Sequence, residues 1–290
     1  MVNNINNFLN CIDIIYWINL ERSVERRKNM LNILKNINIP NEKINAYDGK
    51  TQSDINIYDR FENYNKISHT KIEYACLLSH LETIRKFSES NNNIALIFED
   101  DVTLDYVKYW NKTICEIIKN APSDWEIIML NYVSLNKLKQ DYTFNNNGHI
   151  SCLQAYLINI NSAKKFINSI YKFNKYVLDK NKYQTADNYI FSSLKTYAYK
   201  YPYFTYSNEN DSTIHSHHIS YHNYTKMIAF DRWKELYNLD NINTNTNKNL
   251  IPSFFINKIN IYDWYIVVLF ILISIVSILT YYIIMNKKIN

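Results

Sequence analysis

Glycine is almost absent from this chain of 290 residues, which contains only Gly49 and Gly148. Phosphate-binding loops of the GxGxxG and P-loop types need several glycines, because the backbone must approach the phosphate closely. The composition therefore excludes both motifs. Any bound nucleotide must be held by side chains, by ordinary helix N-termini or by a metal ion.

Cysteine and clustered positive charge are also scarce. The four cysteines are scattered without a CxxC pair, so we expect neither a zinc site nor a disulfide framework; they are Cys11, Cys76, Cys115 and Cys152. The formal net charge is only +5, and no block of Lys and Arg is present. Because nucleic-acid-binding proteins usually carry such a block, we expect no nucleic-acid partner.

One long run does lack charge, glycine and proline, at residues 264–285. A run of about 20 apolar residues suffices to cross a bilayer, and Trp and Tyr at both ends resemble interfacial belts. We predict a transmembrane helix at 261–286 and a short tail at 287–290. An Asn-rich linker at 236–260 would join that helix to a head domain at 1–235.

Two features of the sequence favour opposite orientations of this predicted single-pass C-terminal anchor. The first ten residues are Asn-rich and uncharged, and the apolar stretch after them contains Asp13, so they do not resemble a signal peptide. Lys287 and Lys288 favour the opposite orientation, with the head in a lumen, by the positive-inside rule. We expect a membrane protein with a cytosolic head.

The strongest chemical signal is the segment IALIFEDDV at residues 94–102. Five apolar residues predict a strand buried on both faces, and three carboxylates follow at its C-terminal end, where open α/β sheets bind ligands. Glu99, Asp100 and Asp101 repel one another unless a cation or an Arg/Lys cluster neutralises them. Their oxygen atoms suit Mg²⁺, Mn²⁺ or Ca²⁺. A solvated acidic turn is the alternative.

The remaining elements alternate along the chain. We predict strands at 12–19, 44–49, 94–102, 125–130 and 153–158, and helices at 23–35, 71–88, 106–119 and 162–167, with a long loop at 51–70. Such alternation indicates an α/β fold with a largely parallel sheet and helices on both faces. Arg22 and Arg26 lie at the first strand-to-helix corner, which could bind a diphosphate or be an ordinary basic helix face.

The order of these segments resembles glycosyltransferase family 25, which contains lipooligosaccharide and procollagen galactosyltransferases. The stretches that carry the resemblance are residues 18–27, 46–49, 73–81, 98–102, 125–128, 155–158 with 163–165, and 186–187 with 212–214. Ala75 and the Asn161-Ser162 pair stand where the family usually has glycine nearby. Neither difference removes a chemical group.

The resemblance implies a GT-A type, Rossmann-like fold and an inverting, metal-dependent hexose transfer. The donor would be a UDP-sugar, with galactose favoured over glucose, and the acceptor a hydroxyl on a glycan, a lipid-linked sugar or a protein side chain. Glu99 and Asp101 would be the ends of a DxD-like motif that holds Mn²⁺ or Mg²⁺. The donor side would comprise Asn19, Arg22, Arg26, Asp48, Gly49, Glu73, His80 and Asp100.

Two further roles follow from the resemblance. His215, within a cluster of histidines at 215–222, is our candidate for a third metal ligand, although that cluster could also form a separate transition-metal site. Asp187 is the candidate general base that accepts the proton of the acceptor hydroxyl, or else it caps a helix.

Two other functional classes stay open at this point. A glycoside hydrolase would also place paired carboxylates at strand ends, but would need neither metal nor UDP. A non-catalytic, membrane-tethered binding or scaffold protein could retain the same fold. The acids Glu99, Asp101 and Asp187 are all present, which favours an enzyme.

Overall fold

A seven-stranded sheet forms the centre of the computed structural model, which describes residues 2–134, 136–145, 150–206 and 219–239. His215, most of the predicted linker, the predicted transmembrane helix and the tail lie outside the described residues. Within the described ranges, no helix is both long and apolar enough to cross a membrane.

Twelve strands are present in the described part of the chain. Their bounds are β1 Ile14–Asn19, β2 Asn41–Asn45, β3 Phe61–Glu62, β4 Ile94–Glu99, β5 Val102–Thr103, β6 Ile127–Met129, β7 Tyr142–Phe144, β8 Ala155–Asn159, β9 Tyr171–Lys172, β10 Lys175–Val177, β11 Thr196–Tyr199 and β12 Thr205–Tyr206. The main sheet has the order β2-β1-β4-β8-β6-β11-β7, and β3, β9 and β10 form a smaller sheet.

The main sheet is largely parallel, as predicted. Strands β2, β1 and β4 are parallel neighbours, and so are β6 and β11. The exceptions are β8, which is antiparallel to both β4 and β6, and β7 at the edge beside β11. An α/β sheet with this mixture is consistent with a Rossmann-like fold.

Eight α-helices accompany the sheet in the described ranges. They are α1 Val2–Phe8, α2 Val24–Leu34, α3 Asp54–Tyr58, α4 Lys71–Ser88, α5 Ile114–Asn120, α6 Ile160–Ile170, α7 Ala186–Ser193 and α8 Ile219–Tyr237. On β4, Ala95 and Ile97 join the core that α4 and α6 form, while Leu96 and Phe98 point the other way and are equally buried. The strand is therefore covered on both faces, as its uninterrupted apolar run predicts.

Helix α4 begins and ends where the sequence predicts. A capping box starts it: Glu73 N–H donates to the Thr70 hydroxyl, and the Glu73 carboxylate accepts the backbone N–H of Thr70. These two bonds satisfy amides that the first turn of a helix cannot pair internally. The helix then fixes the position of every side chain that it contributes to the functional site.

Three predicted segments were wrong. The strand predicted at 44–49 is displaced, because the residues that pair with β1 are Asn41–Asn45 and residues 46–49 follow the strand. The predicted loop at 51–70 contains α3 and β3, and the predicted helix at 106–119 is a 3₁₀ turn at Val107–Tyr109 followed by α5. Between that turn and α5, the Trp110 indole N–H donates to the carbonyl of Tyr203 at 2.8 Å. Thr113 then caps α5. The tertiary hydrogen bond and the new cap together interrupt the helical pattern.

Cys11 and Cys115 form a disulfide, although the scattered positions of the cysteines predict no disulfide framework. They are 104 residues apart in sequence, and only the folded chain brings the start of β1 beside the start of α5. Cys76 and Cys152 are free. Sequence spacing gives no sign of such a long-range pair, because connectivity cannot be deduced from the positions of cysteines alone.

We expect Cys11→Ser to lower the free energy of unfolding by about 2–5 kcal/mol, since a disulfide that closes a loop of this length strongly restricts the unfolded chain. Urea unfolding without a reducing agent measures the change. Wild-type protein in reducing buffer should match the variant, and thiol titration of unreduced, denatured wild-type protein should give two thiols for Cys76 and Cys152. Four titratable thiols would show that the pair does not form.

Candidate functional site

Three parallel strands end side by side at the edge of the sheet where the site lies. The register pairs Asn19 of β1 with Asn45 of β2, and Ile18 with Glu99 of β4. The segments that follow these ends line one pocket with the start of α4. Its lining includes Gly49 and the polar or reactive residues Arg22, Arg26, Tyr47, Asp48, Cys76, Ser79, His80, Glu99, Asp100 and Asp101. The structure thus brings together most of the residues predicted for the donor side.

Asp100 is the buried centre of the acidic triplet. Its carboxylate accepts hydrogen bonds from Arg26 Nη1 at 2.9 Å and from Asn19 Nδ2 at 2.6 Å. Burial raises the pKa of Asp100, and Arg26 and Asn19 offset part of that shift by stabilising the ionised form. Arg26 is therefore the internal counterion of the triplet. Asn19 is fully buried, and its Oδ1 has no hydrogen-bond partner among the described residues.

Asp101 has a separate set of partners. Gln154 Nε2 donates to Asp101 Oδ1 at 2.7 Å, and Asn131 Nδ2 donates to Gln154 Oε1 at 2.6 Å. Arg26 Nη1 lies 3.7 Å from the other carboxylate oxygen. Burial, followed by the nearby charge of Glu99, raises the pKa of Asp101 to about 6. Sequence reasoning missed Gln154 and Asn131, although Asn131 follows the predicted strand at 125–130 and a polar residue there is a recognisable signal.

Glu99 contacts α4. His80 Nε2 lies 3.1 Å from Glu99 Oε1, and His80 Nδ1 lies 3.2 Å from the Tyr156 hydroxyl. Cys76 precedes His80 by one helical turn, so both side chains lie on the same face of α4. Burial raises the pKa of the Cys76 thiol, and the charges of Glu99 and then Asp187 raise it further.

Arg22 and Asp48 form an ion pair with a distance of 2.6 Å between Arg22 Nε and Asp48 Oδ2. Burial raises the pKa of Asp48, but hydrogen bonds from the Lys50 amide and from Arg22 outweigh it, and the pKa is lowered. Gly49 follows Asp48, and a Cβ atom on Gly49 would lie 2.6 Å from the Cα of Ile72. Only glycine allows this wall of the pocket to pack against the start of α4.

Glu73 and Asp187 lie outside the pocket lining. Glu73, predicted on the donor side, caps α4 instead. Asp187 lies in the first turn of α7, where its Oδ1 accepts from the Thr185 hydroxyl at 3.1 Å and from the Asn188 amide at 2.9 Å. Thr185, not Asp187, occupies the N-cap position of α7. Helix α7 packs against α4, so Asp187 lies on a helix next to the one that forms this wall of the pocket.

The donor set fits a hard divalent cation. The pocket places three carboxylates against one buried guanidinium, since Arg22 is already paired with Asp48. The side chains of Glu99 and Asp101 are 33% and 22% exposed, so their oxygens are accessible from the pocket. Carboxylate oxygens are the ligands that Mn²⁺ and Mg²⁺ prefer. Glu99 and Asp101 could hold such an ion if Glu99 turned from His80.

At pH 8 we expect Asp101→Asn to raise the free energy of unfolding of the metal-free protein by on the order of 1 kcal/mol. The folded state holds this carboxylate at a raised pKa, so ionised Asp101 destabilises it, and asparagine still accepts from Gln154. The gain should shrink as the pH falls below about 6, and it should disappear only below about pH 3, where the wild-type carboxyl is neutral in the unfolded state as well. Urea unfolding across this range measures it.

The control for this experiment is Asp59→Asn, which changes an exposed aspartate. A surface change of this kind should alter the free energy of unfolding by less than about 0.5 kcal/mol at every pH. Destabilisation by Asp101→Asn at pH 8, with the control unchanged, would contradict the raised pKa of Asp101.

More than half of this chain matches the sequence profile of a known protein family. The sequence profile of "Glycosyltransferase family 25 (LPS biosynthesis protein)" matches residues 12–181, which contain the whole pocket. Asp187 lies just beyond the match. "Procollagen galactosyltransferase 1-A" of Xenopus laevis is 26% identical over 179 residues, covering 54% of this chain and 28% of that protein.

A second relative gives the same result. "Glycosyltransferase 25 family member" of Aedes aegypti is 29% identical over 171 residues, covering 53% of this chain and 27% of that protein. The matched region thus spans little more than a quarter of the length of either relative. Because the family profile covers more than half of this sequence and includes every strand end that builds the pocket, the chain belongs to glycosyltransferase family 25.

Proposed function

We propose that this protein transfers a hexose from a UDP-sugar to a hydroxyl acceptor on a glycan or a protein, with inversion and with Mn²⁺ or Mg²⁺ as the metal. Galactose is the favoured sugar because a relative is named a galactosyltransferase, and glucose is second. The observation that carries the proposal is the pocket at the ends of β1, β2 and β4. This pocket is lined by acids and arginines, and at Gly49 its wall packs closely against the start of α4. In α/β sheets, ligands bind at this edge.

In this proposal the residues of the pocket have different tasks. Arg26 and Asn19 hold Asp100 ionised and buried, which fixes the backbone at the end of β4. That fixed backbone presents Glu99 and Asp101 as the ligands of the metal ion. The metal, when bound, would stabilise the charge that develops on the UDP leaving group. Arg22 could exchange Asp48 for a donor phosphate, since it is 39% exposed and guanidinium groups bind phosphate well.

Asp187 is our proposed general base. The Asn188 amide and the Thr185 hydroxyl both donate to its Oδ1, which leaves Oδ2 as the oxygen to accept the proton of an acceptor hydroxyl. Those two bonds also fix the orientation of the carboxylate. A general base must be held within hydrogen-bond reach of the proton that it removes.

Thermal melting of the full-length chain with a panel of UDP-sugars tests the donor site. We expect a higher melting temperature only when Mn²⁺ and the correct UDP-sugar are both present, because a ligand that binds only the folded state stabilises it. UDP-galactose should give the largest shift. Cooperative melting without a shift for any UDP-sugar would favour the alternative that the fold serves a binding or scaffold role.

Asp187→Asn tests the base. We expect UDP release from the donor to fall by about 10²–10⁴-fold, whether water or an added acceptor receives the sugar, while the donor-dependent melting shift stays. The matched control is Asp179→Asn, because Asp179 is an exposed aspartate that precedes the same helix. Unchanged turnover in Asp187→Asn would remove this residue from the mechanism.

The family match favours transfer over the hydrolase alternative, because the matched profile is that of a glycosyltransferase. A hydrolase would release sugar from glycosides without metal or UDP. The melting panel separates the two, since a hydrolase has no reason to bind UDP. His215 stays a predicted third metal ligand.

For location, we propose a membrane protein anchored through the uncharged run at 264–285. The Cys11–Cys115 disulfide favours an oxidising compartment for the head over the cytosolic position expected from the N-terminal sequence. Lys287 and Lys288 favour the same orientation. Rapid alkylation of thiols in intact membranes, followed by mass spectrometry, would show whether Cys11 and Cys115 are paired there.

A further inference from the structure

Three side chains of different chemistry converge on the wall of the pocket beside α4. Cys76 and His80 lie one turn apart on that helix, and Glu99 ends β4 next to them. The ligand atoms of all three lie within 4.8 Å of one another. Two residues at i and i+4 on a helix are a common half of a metal site, because their side chains point the same way.

The imidazole of His80 is already oriented towards this cluster. His80 is buried, with the Tyr156 hydroxyl 3.2 Å from Nδ1 and the Glu99 carboxylate 3.1 Å from Nε2. Metal-binding histidines usually have a hydrogen-bond partner on the second ring nitrogen, which fixes the tautomer and the ring plane. Tyr156 fills that role here. The nitrogen that faces Glu99 is the one available to a metal.

We propose that Cys76, His80 and Glu99 form a binding site for a thiophilic divalent cation, preferentially Zn²⁺, distinct from the hard-ion pair Glu99 and Asp101. One sulfur, one nitrogen and one oxygen ligand suit zinc far better than Mn²⁺ or Mg²⁺. Ligands at 2.0–2.3 Å from a tetrahedral ion lie roughly 3.5 Å apart, so small side-chain rotations suffice. The Cys76 proton passes to solvent as the sulfur–metal bond forms.

Zinc at this site would act as an inhibitor, and this consequence rests on the proposed function. Glu99 is common to both sites, and its carboxylate faces His80 and would have to turn away to hold a hard ion near Asp101, so the two ions compete for it. The three ligands leave a fourth position for water, as in other three-ligand zinc sites. Zinc therefore removes one ligand of the hard ion without closing the pocket.

Cobalt(II) provides a test that needs neither donor nor turnover. We expect the full-length, unreduced chain to bind Co²⁺ with a thiolate-to-cobalt charge-transfer band and the visible bands of a tetrahedral ion, and one equivalent of Zn²⁺ should abolish them. Cys76→Ser should lose the charge-transfer band and weaken Co²⁺ binding by more than about 100-fold, beyond the usual effect of losing an outer-shell partner. Cys152→Ser, which removes the other free cysteine, should keep both.

X-ray absorption at the zinc edge covers the case in which Cys76→Ser does not fold. Zinc-loaded Cys152→Ser should show one sulfur at about 2.3 Å and nitrogen or oxygen ligands at about 2.0–2.2 Å. With Cys11 and Cys115 in the disulfide, only Cys76 can supply that sulfur in this variant. A zinc shell of nitrogen and oxygen alone, or a cobalt spectrum without the thiolate band, would overturn the site.

The inhibitory consequence is measured separately, as the loss of the donor-dependent melting shift when Zn²⁺ is added to protein with Mn²⁺ and UDP-sugar. We expect zinc to abolish the shift in wild-type protein. In Cys76→Ser, at least tenfold more zinc should be needed for the same effect. A thiolate–cobalt signal without any Mn²⁺-dependent donor binding would support the zinc site and reject the proposed function. Donor binding that zinc leaves unchanged would reject inhibition through Glu99.

Discussion

The ion pair between Arg26 and Asp100 is the interaction on which the site depends. Strand β4 delivers three consecutive carboxylates to a partly buried edge, and such a cluster is unfavourable without a counterion. Arg26 reaches Asp100 from α2, and Asn19 at the end of β1 donates to the same carboxylate. One buried group thus joins β1, the start of α2 and β4. Arg26 also places a positive charge beside the triplet, which reduces the repulsion among its carboxylates.

The three acids of the triplet have different partners, because β4 ends at Glu99 and the chain turns at Asp100 and Asp101. Asp100 is almost completely buried in the pocket wall, where its carboxylate accepts from Arg26 and Asn19. Glu99 and Asp101 both line the pocket, where Glu99 contacts His80 and Asp101 accepts from Gln154. Each acid therefore has its own partner. The separation allows one short segment to be a structural anchor and also, in the proposed function, the source of the metal ligands.

Much of this arrangement could be predicted from sequence. The apolar run before Glu99 identified β4, the spacing from 71 to 88 identified α4, and strand ends indicated where Arg22, Asp48 and Asp101 would meet. These signals are local, since they depend on the periodicity of apolar residues and on the residues that begin and end each helix or strand.

The features that sequence reasoning missed are long-range. The Cys11–Cys115 pair and the bond from Gln154 to Asp101 join residues 104 and 53 positions apart, and nothing in the spacing reveals either. The family resemblance predicts Glu73 on the donor side, but its carboxylate accepts the backbone N–H of Thr70 at the start of α4. The antiparallel insertion of β8 between β4 and β6 likewise depends on tertiary packing.

Calorimetric titration of UDP into the full-length chain tests the central claim most directly. We expect binding in the presence of Mn²⁺ that disappears with EDTA and in Asp101→Asn, because the metal would link the donor diphosphate to Glu99 and Asp101. Absence of UDP binding in the presence of Mn²⁺, or binding that survives both EDTA and loss of the Asp101 carboxylate, would contradict a metal-dependent donor site at the end of β4.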